Sequence, residues 1–200
     1  MSLKLAVCTI LALHVATSLA GVLKLTKTSL NEDDPCPHYS PMGNFNLSAF
    51  LGVWHEIERY PNDIEKQDYC VVTQYHIIGP DVLGTRLSVN MTFTRDGQPL
   101  AGELIGTYLN GDTTAEFVIE PALNPNIVFI DTDYTSYALQ YSCENKESKG
   151  KVESAFIFSR TETLPADTIT QLKQQFTALG SDISQFEEPE HINCPVPTAK

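Results

Sequence analysis

Between residues 52 and 160, apolar and polar side chains alternate within short runs instead of recurring every third or fourth position. The runs are rich in Val, Ile, Thr, Tyr and Phe and are separated by Gly, Pro, Asn and Asp, the pattern of strands joined by turns. The strands it predicts are 53–60, 71–78, 85–94, 100–109, 115–120, 126–131, 136–144 and 152–160. Asp96-Gly97 and Asn110-Gly111 mark tight hairpins, because both dipeptides accept the positive φ that such turns require. Eight successive strands with short turns predict an all-β meander. A meander of eight removes its exposed edges by closing into an antiparallel up-and-down β-barrel.

Alternation assigns the faces. Leu87, Val89, Met91 and Phe93 share one face, and Ser88, Asn90 and Thr92 the other. Phe117 and Ile119 oppose Glu116 and Glu120, while Val152, Ser154, Phe156 and Phe158 alternate with Glu153 and Ala155. A barrel of this size with one apolar wall either fills itself or holds one small ligand. The period changes at about 165–179, where Ile169, Leu172, Phe176 and Leu179 fall at helical spacing. Pro165 and Asp167 suit the first turn, and Gly180 suits the position after the last. One apolar stripe predicts a single α-helix packed on the outside of the barrel. A Pro-rich tail, 181–200, follows.

The first twenty residues break this order. Lys4 precedes a nearly continuous apolar run from Leu5 to Val15, and Ser18 and Ala20 are small at the positions before a cut at Gly21. That is the form of a secretory signal, which leaves 21–200 as one folded domain in an extracellular setting. Cys8 leaves with the signal, and Cys36, Cys70, Cys143 and Cys194 remain. Four cysteines in an oxidising compartment read as two disulfides, with three pairings open. The sequons Asn46-Leu47-Ser48 and Asn90-Met91-Thr92 fit the same compartment as glycan acceptors, and Asn90 falls on the polar face of its strand.

Charge narrows the partners. The full chain carries −12; without Lys4 it has 12 basic against 25 acidic side chains, a net −13. Such a surface repels phosphate backbones, so nucleic acid is not an expected partner, and no later apolar run approaches a membrane span. Catalytic and metal-binding spacings are not found: His38, His55, His76 and His191 are scattered, and no nucleophile elbow or phosphate-binding loop occurs. A thiol nucleophile would need an unpaired cysteine. Glu56 and Glu58, two apart on a predicted strand, are expected to share a face as solvated carboxylates near a rim. The expectation is a protein without catalytic residues, bound metal or required cofactor.

One constellation is distinctive. Gly52-Val53-Trp54 holds the chain's single tryptophan at the start of the first strand; Thr132-Asp133-Tyr134 lies between two strands, and Arg160 ends the last. An indole can close one end of a barrel with a guanidinium stacked on its face, or Trp54 can be ordinary core and Arg160 an ordinary surface cation. Taken in order, with four cysteines and a late helix, these motifs resemble the three signature regions of the lipocalins over essentially the whole mature chain. Within that family the similarity runs to the branch of apolipoprotein D, Lazarillo and insect bilin-binding proteins. Phe156 and His55 depart from the branch's usual aromatic residues, so the resemblance is looser for ligand identity than for fold.

The resemblance implies pairing of Cys36 with Cys143 and Cys70 with Cys194. It also implies that Gly52, Trp54, Thr132, Asp133 and Arg160 close one end of the barrel. It further implies a secreted carrier that transports or sequesters a small hydrophobic ligand such as a fatty acid, sterol or retinoid. The candidate wall residues are Leu87, Val89, Met91, Phe93, Phe117, Ile119, Phe129 and Phe156, with Ile64 near the mouth. Two alternatives stay open: a bilin such as biliverdin as the ligand, and docking on proteins as a protease inhibitor or cell-surface receptor ligand.

Overall fold

The computed structural model describes residues 36–62, 65–80, 82, 84–109, 113–121, 127–146, 150–191 and 194. The expected signal at 1–20, Ile64, the Asn110-Gly111 turn and the last six residues lie outside the described residues.

A four-residue helix, α1 (Leu47–Phe50), leads into eight strands: β1 (Gly52–Arg59), β2 (Tyr69–Pro80), β3 (Gly84–Arg95), β4 (Gln98–Leu109), β5 (Glu116–Ile119), β6 (Ile127–Thr132), β7 (Tyr137–Lys146) and β8 (Gly150–Ser159). Each strand pairs antiparallel with the next, and β1 pairs with β8, so the barrel is closed in sequence order. Asp96 and Gly97, with φ of 51° and 73°, turn β3 into β4 directly after the Arg95–Gln98 pair.

Two apolar layers result. Phe50, Trp54, Leu87, Phe117 and Phe129 pack inside the barrel, while Ile57, Leu139, Tyr141 and Ile157 point outward beneath α2 (Ala166–Ala178). The helix meets them with Leu172 and Phe176, both buried. Pro165 is its N-cap, and Gly180 takes φ 82° after its last turn. Gly180 N–H donates to Thr177 O at 2.9 Å and Ser181 N–H to Phe176 O at 3.1 Å, which satisfies carbonyls the helix leaves open.

Glu56 and Glu58 do not share a face, nor are they solvated. The β1–β8 register slips between them, so a bulge inserts one extra residue. Glu56 turns into the barrel at 1% exposure, and Glu58 turns out to an ion pair with Lys173 of α2.

Two disulfides fasten the ends of the described chain. Cys36 is bonded to Cys143 on β7, and Cys70 to Cys194 in the tail. The tail also pairs with β1, Arg59 and Glu187 exchanging backbone hydrogen bonds of 3.0 and 2.9 Å.

Candidate functional site

The barrel has one plugged end. Gly52 opens β1 with φ 97°, a conformation glycine takes without strain. Two residues on, Trp54 is 1% exposed and donates from Nε1 to Phe50 O at 2.9 Å. The Arg160 guanidinium lies 3.6 Å from the centre of the indole. It also donates to Val53 O (2.8 Å), Ala49 O (3.0 Å), Phe50 O (3.1 Å) and Tyr134 O (2.9 Å). One cation thus ties α1, β1 and the β6–β7 turn together.

That turn is shaped by its own polar residues. Thr132 Oγ1 donates to Tyr137 O at 2.5 Å. Asp133 accepts from the backbone N–H groups of Thr135, Ser136 and Tyr137 at 2.7–3.0 Å, and from the Ser136 hydroxyl. Partial burial pushes the Asp133 carboxyl up, but the hydrogen bonds led by Ser136 outweigh it and hold the group at about 2. The segment before α1 crosses the same end: Met42 N–H donates to Phe129 O, and Phe45 packs among the inner aromatics.

The other end is hollow. A cavity of about 280 Å³ lies above the plug, and Leu104, which lines it, is 41% exposed and marks the mouth. Val89, Met91, Leu104 and Ile127 form an apolar wall from β3, β4 and β6. Phe156 and Phe158 face it from β8, between β7 and β1, their rings nearly parallel with centroids 5.6 Å apart. The rest of that side is polar, with Glu56 on β1, Thr73 and Tyr75 on β2, and Gln140 on β7.

Beside this wall is a buried charge cluster. Arg59, 3% exposed, donates from Nη1 to Glu56 (2.8 Å), from Nε to Glu187 (3.0 Å), and from Nη2 to the carbonyls of Glu65 (2.7 Å) and Asp68 (3.2 Å). Asp68 receives two bonds from Arg95, at 2.5 and 2.7 Å. Burial, and then the nearby charge of Glu65, push the Glu56 carboxyl up to about 8 against the pull of Arg59. Burial likewise raises Glu65, which sits at the cavity beside Asn62, its hydrogen-bond partner at 2.7 Å. Among the described residues no group of three or more His, Cys, Asp or Glu has the arrangement to hold a metal ion.

The expected wall residues divide. Val89, Met91 and Phe156 line the cavity. Leu87, Phe117, Ile119 and Phe129 do not; at 0–7% exposure they fill the closed half beneath it. Phe93 is half-buried, with the Arg95 guanidinium 5.1 Å over its ring, and is not among the lining residues. The polar wall is missing from the sequence reading. Leu139 and Tyr141 flank Gln140 and are buried beneath α2, so taking apolar as inward turns Gln140 the wrong way. Tyr75 could have been found, since it alternates with Thr73 across from Gln74 and His76.

An eight-stranded barrel plugged at one end and hollow at the other is a cup for a small molecule. The family model for the lipocalin / cytosolic fatty-acid binding proteins matches residues 51–192, and the chain belongs to that family. Apolipoprotein D of Mus musculus is 31% identical over 182 residues, covering 89% of this chain and 94% of the relative. Insecticyanin-A of Manduca sexta is 28% identical over 149 residues, 66% of this chain and 72% of the relative. The solved structure of insecticyanin from the same hornworm superposes with a TM-score of 0.69 at 25% identity, covering 80% of this chain and 90% of that one.

Proposed function

We propose that this protein is a secreted carrier that holds one small hydrophobic molecule, of the fatty acid, sterol or retinoid kind, and transports or sequesters it. The observation that carries the reading is the half-filled barrel: Phe45, Phe50, Trp54, Phe117 and Phe129 close the floor, yet about 280 Å³ stays open above them against an apolar wall. A ligand that hides ~300 Å² of apolar surface there gains roughly 7–8 kcal/mol. The costs of association reduce this towards micromolar affinity, suited to a carrier that must also release its load. Catalysis has no part in this reading.

Secretion is supported by the leader-like first twenty residues and by the two disulfides. Asn46 and Asn90 are the proposed glycan acceptors. Asn46 uses Oδ1 to cap α1, accepting from Ala49 N–H at 3.1 Å, so a sugar on its nitrogen leaves the cap in place.

The test is titration with retinol and, separately, with biliverdin, followed by native mass spectrometry of protein purified from its source. Retinol should quench Trp54 and saturate near one equivalent, and the native spectrum should contain a lipid adduct. Biliverdin producing red-shifted absorption with induced circular dichroism, while retinol does nothing, would transfer the reading to a pigment carrier. A spectrum with a stable protein partner and no small molecule would transfer it to protein docking.

A further inference from the structure

The cavity is two-faced in a way that hydrophobic filling does not require. Strands β3, β4 and β6 line it with hydrocarbon, whereas β7, β1 and β2 present Gln140, Glu56 and Tyr75, with Phe156 and Phe158 of β8 standing between Gln140 and Glu56. Gln140 is 7% exposed and Tyr75 3%, and neither side chain makes a hydrogen bond among the described residues. Both polar ends open onto the chamber instead of being sealed in protein, so a guest there can bond to them. Glu56 receives a single side-chain hydrogen bond, from Arg59. Three polar groups therefore face one side of a greasy chamber with unfilled hydrogen-bonding capacity.

The charges in the same place limit which head group fits. Glu56 and Glu65 both line the cavity, and no lysine or arginine does among the described residues. The cation at the site, Arg59, has all three guanidinium nitrogens engaged by Glu56, Glu187 and the carbonyls of Glu65 and Asp68. A ligand carboxylate would enter beside two acidic side chains with no cation to meet it. A hydroxyl or ammonium group would donate to Glu56 or to the amide oxygen of Gln140, and a hydroxyl could also accept from Tyr75.

We propose that the Glu56–Tyr75–Gln140 wall selects the cargo by its head group, admitting lipids that end in a hydrogen-bond donor, an alcohol or an amine, and disfavouring those that end in a carboxylate. This rests on the carrier reading and narrows it. The hydrocarbon part lies against Val89, Met91 and Leu104, and the polar end turns towards β1 and β7.

The test uses dodecanol, dodecylamine and dodecanoate, equal in chain length and different in head group, displacing the neutral fluorescent probe N-phenyl-1-naphthylamine from the disulfide-bonded protein at about pH 9, where Glu56 is ionised and the alkylammonium keeps its proton. The alcohol and the amine should displace the probe at concentrations at least tenfold below dodecanoate. Glu56→Gln should abolish the amine's advantage. Because that change deprives Arg59 of a charged partner and could unfold the chain, Gln140→Leu and Tyr75→Phe are measured beside it. Each should lower the ratio of alcohol to carboxylate affinity at least threefold. Dodecanoate binding as tightly as the other two, or ratios unmoved in the folded variants, would overturn the selection and leave the carrier intact. Failure of the neutral probe to enter at all would remove both.

Discussion

The two ends of the barrel are built from the same eight strands on opposite principles. At the closed end every strong group is matched: Trp54 donates to Phe50, Arg160 reaches four carbonyls and the indole face, and Asp133 gathers the N–H groups of its turn. Towards the open end the Gln140 side chain makes no hydrogen bond among the described residues, Glu56 is held far above the usual carboxylate range, and Leu100, Leu104 and Val152 are 41–47% exposed. A molecule optimised throughout for stability would not leave one end in that condition. The closed end holds the fold, and the open end carries the unsatisfied surface that a guest can complete.

The contrast breaks most sharply at the floor. Trp54→Ala should destabilise the protein by about 3–5 kcal/mol, since it empties a filled site and deprives Arg160 of the face it stacks on. Chemical denaturation measures this directly. Arg160→Leu should follow at about 2–3 kcal/mol, because carbonyls of Ala49, Phe50, Val53 and Tyr134 lose a charged donor at one stroke. A loss under half a kcal/mol for Arg160→Leu would show that the guanidinium decorates the end and does not tie it.

The ends should also respond oppositely to pH. Asp133 is held at about 2, below its ordinary 3.8, so its contribution is complete above 3.8 and disappears only as pH falls towards 2. Glu56 is raised from 4.5 to about 8, and its folded form keeps a proton that the unfolded chain has already released. Its contribution is therefore complete below 4.5 and is lost as pH rises through about 8. The denaturation midpoint should fall between pH 5 and 9 in the wild type and flatten in Glu56→Gln. A profile equally steep in both would remove Glu56 as the source.

How much of this was legible beforehand follows from where each strand is buried. On β3 apolar and polar side chains alternate, so Leu87, Val89 and Met91 declare their side by chemistry alone, even though Ser88 on the other face is itself buried. Asp96-Gly97 announces its hairpin, and the stripe through Leu172 and Phe176 announces α2. β7 lies beneath the helix and is buried on both faces, which hides the inward turn of Gln140. The β1 bulge is a property of pairing with β8 and not of the local sequence, so the separation of Glu56 from Glu58 appears only in three dimensions. Alternation can say that Phe117 and Phe129 point inward; it cannot say at what height the floor ends and the chamber begins.

The smallest expected loss of stability tests that height. Phe156 and Phe129 are both inward-facing phenylalanines, but Phe129 is 0% exposed within the floor while Phe156 borders the cavity. Truncating Phe129 to Ala opens a void among packed rings, whereas truncating Phe156 enlarges a space that already exists and removes fewer contacts. Phe156→Ala should therefore destabilise the empty protein by only about 1–2 kcal/mol, yet weaken retinol binding roughly tenfold through the lost apolar wall. Denaturation and Trp54 quenching on the same preparation separate the two effects. Equal destabilisation by Phe129→Ala and Phe156→Ala, with retinol binding unchanged in the latter, would mean that the chamber collapses onto Phe156 and that the open end is a second floor.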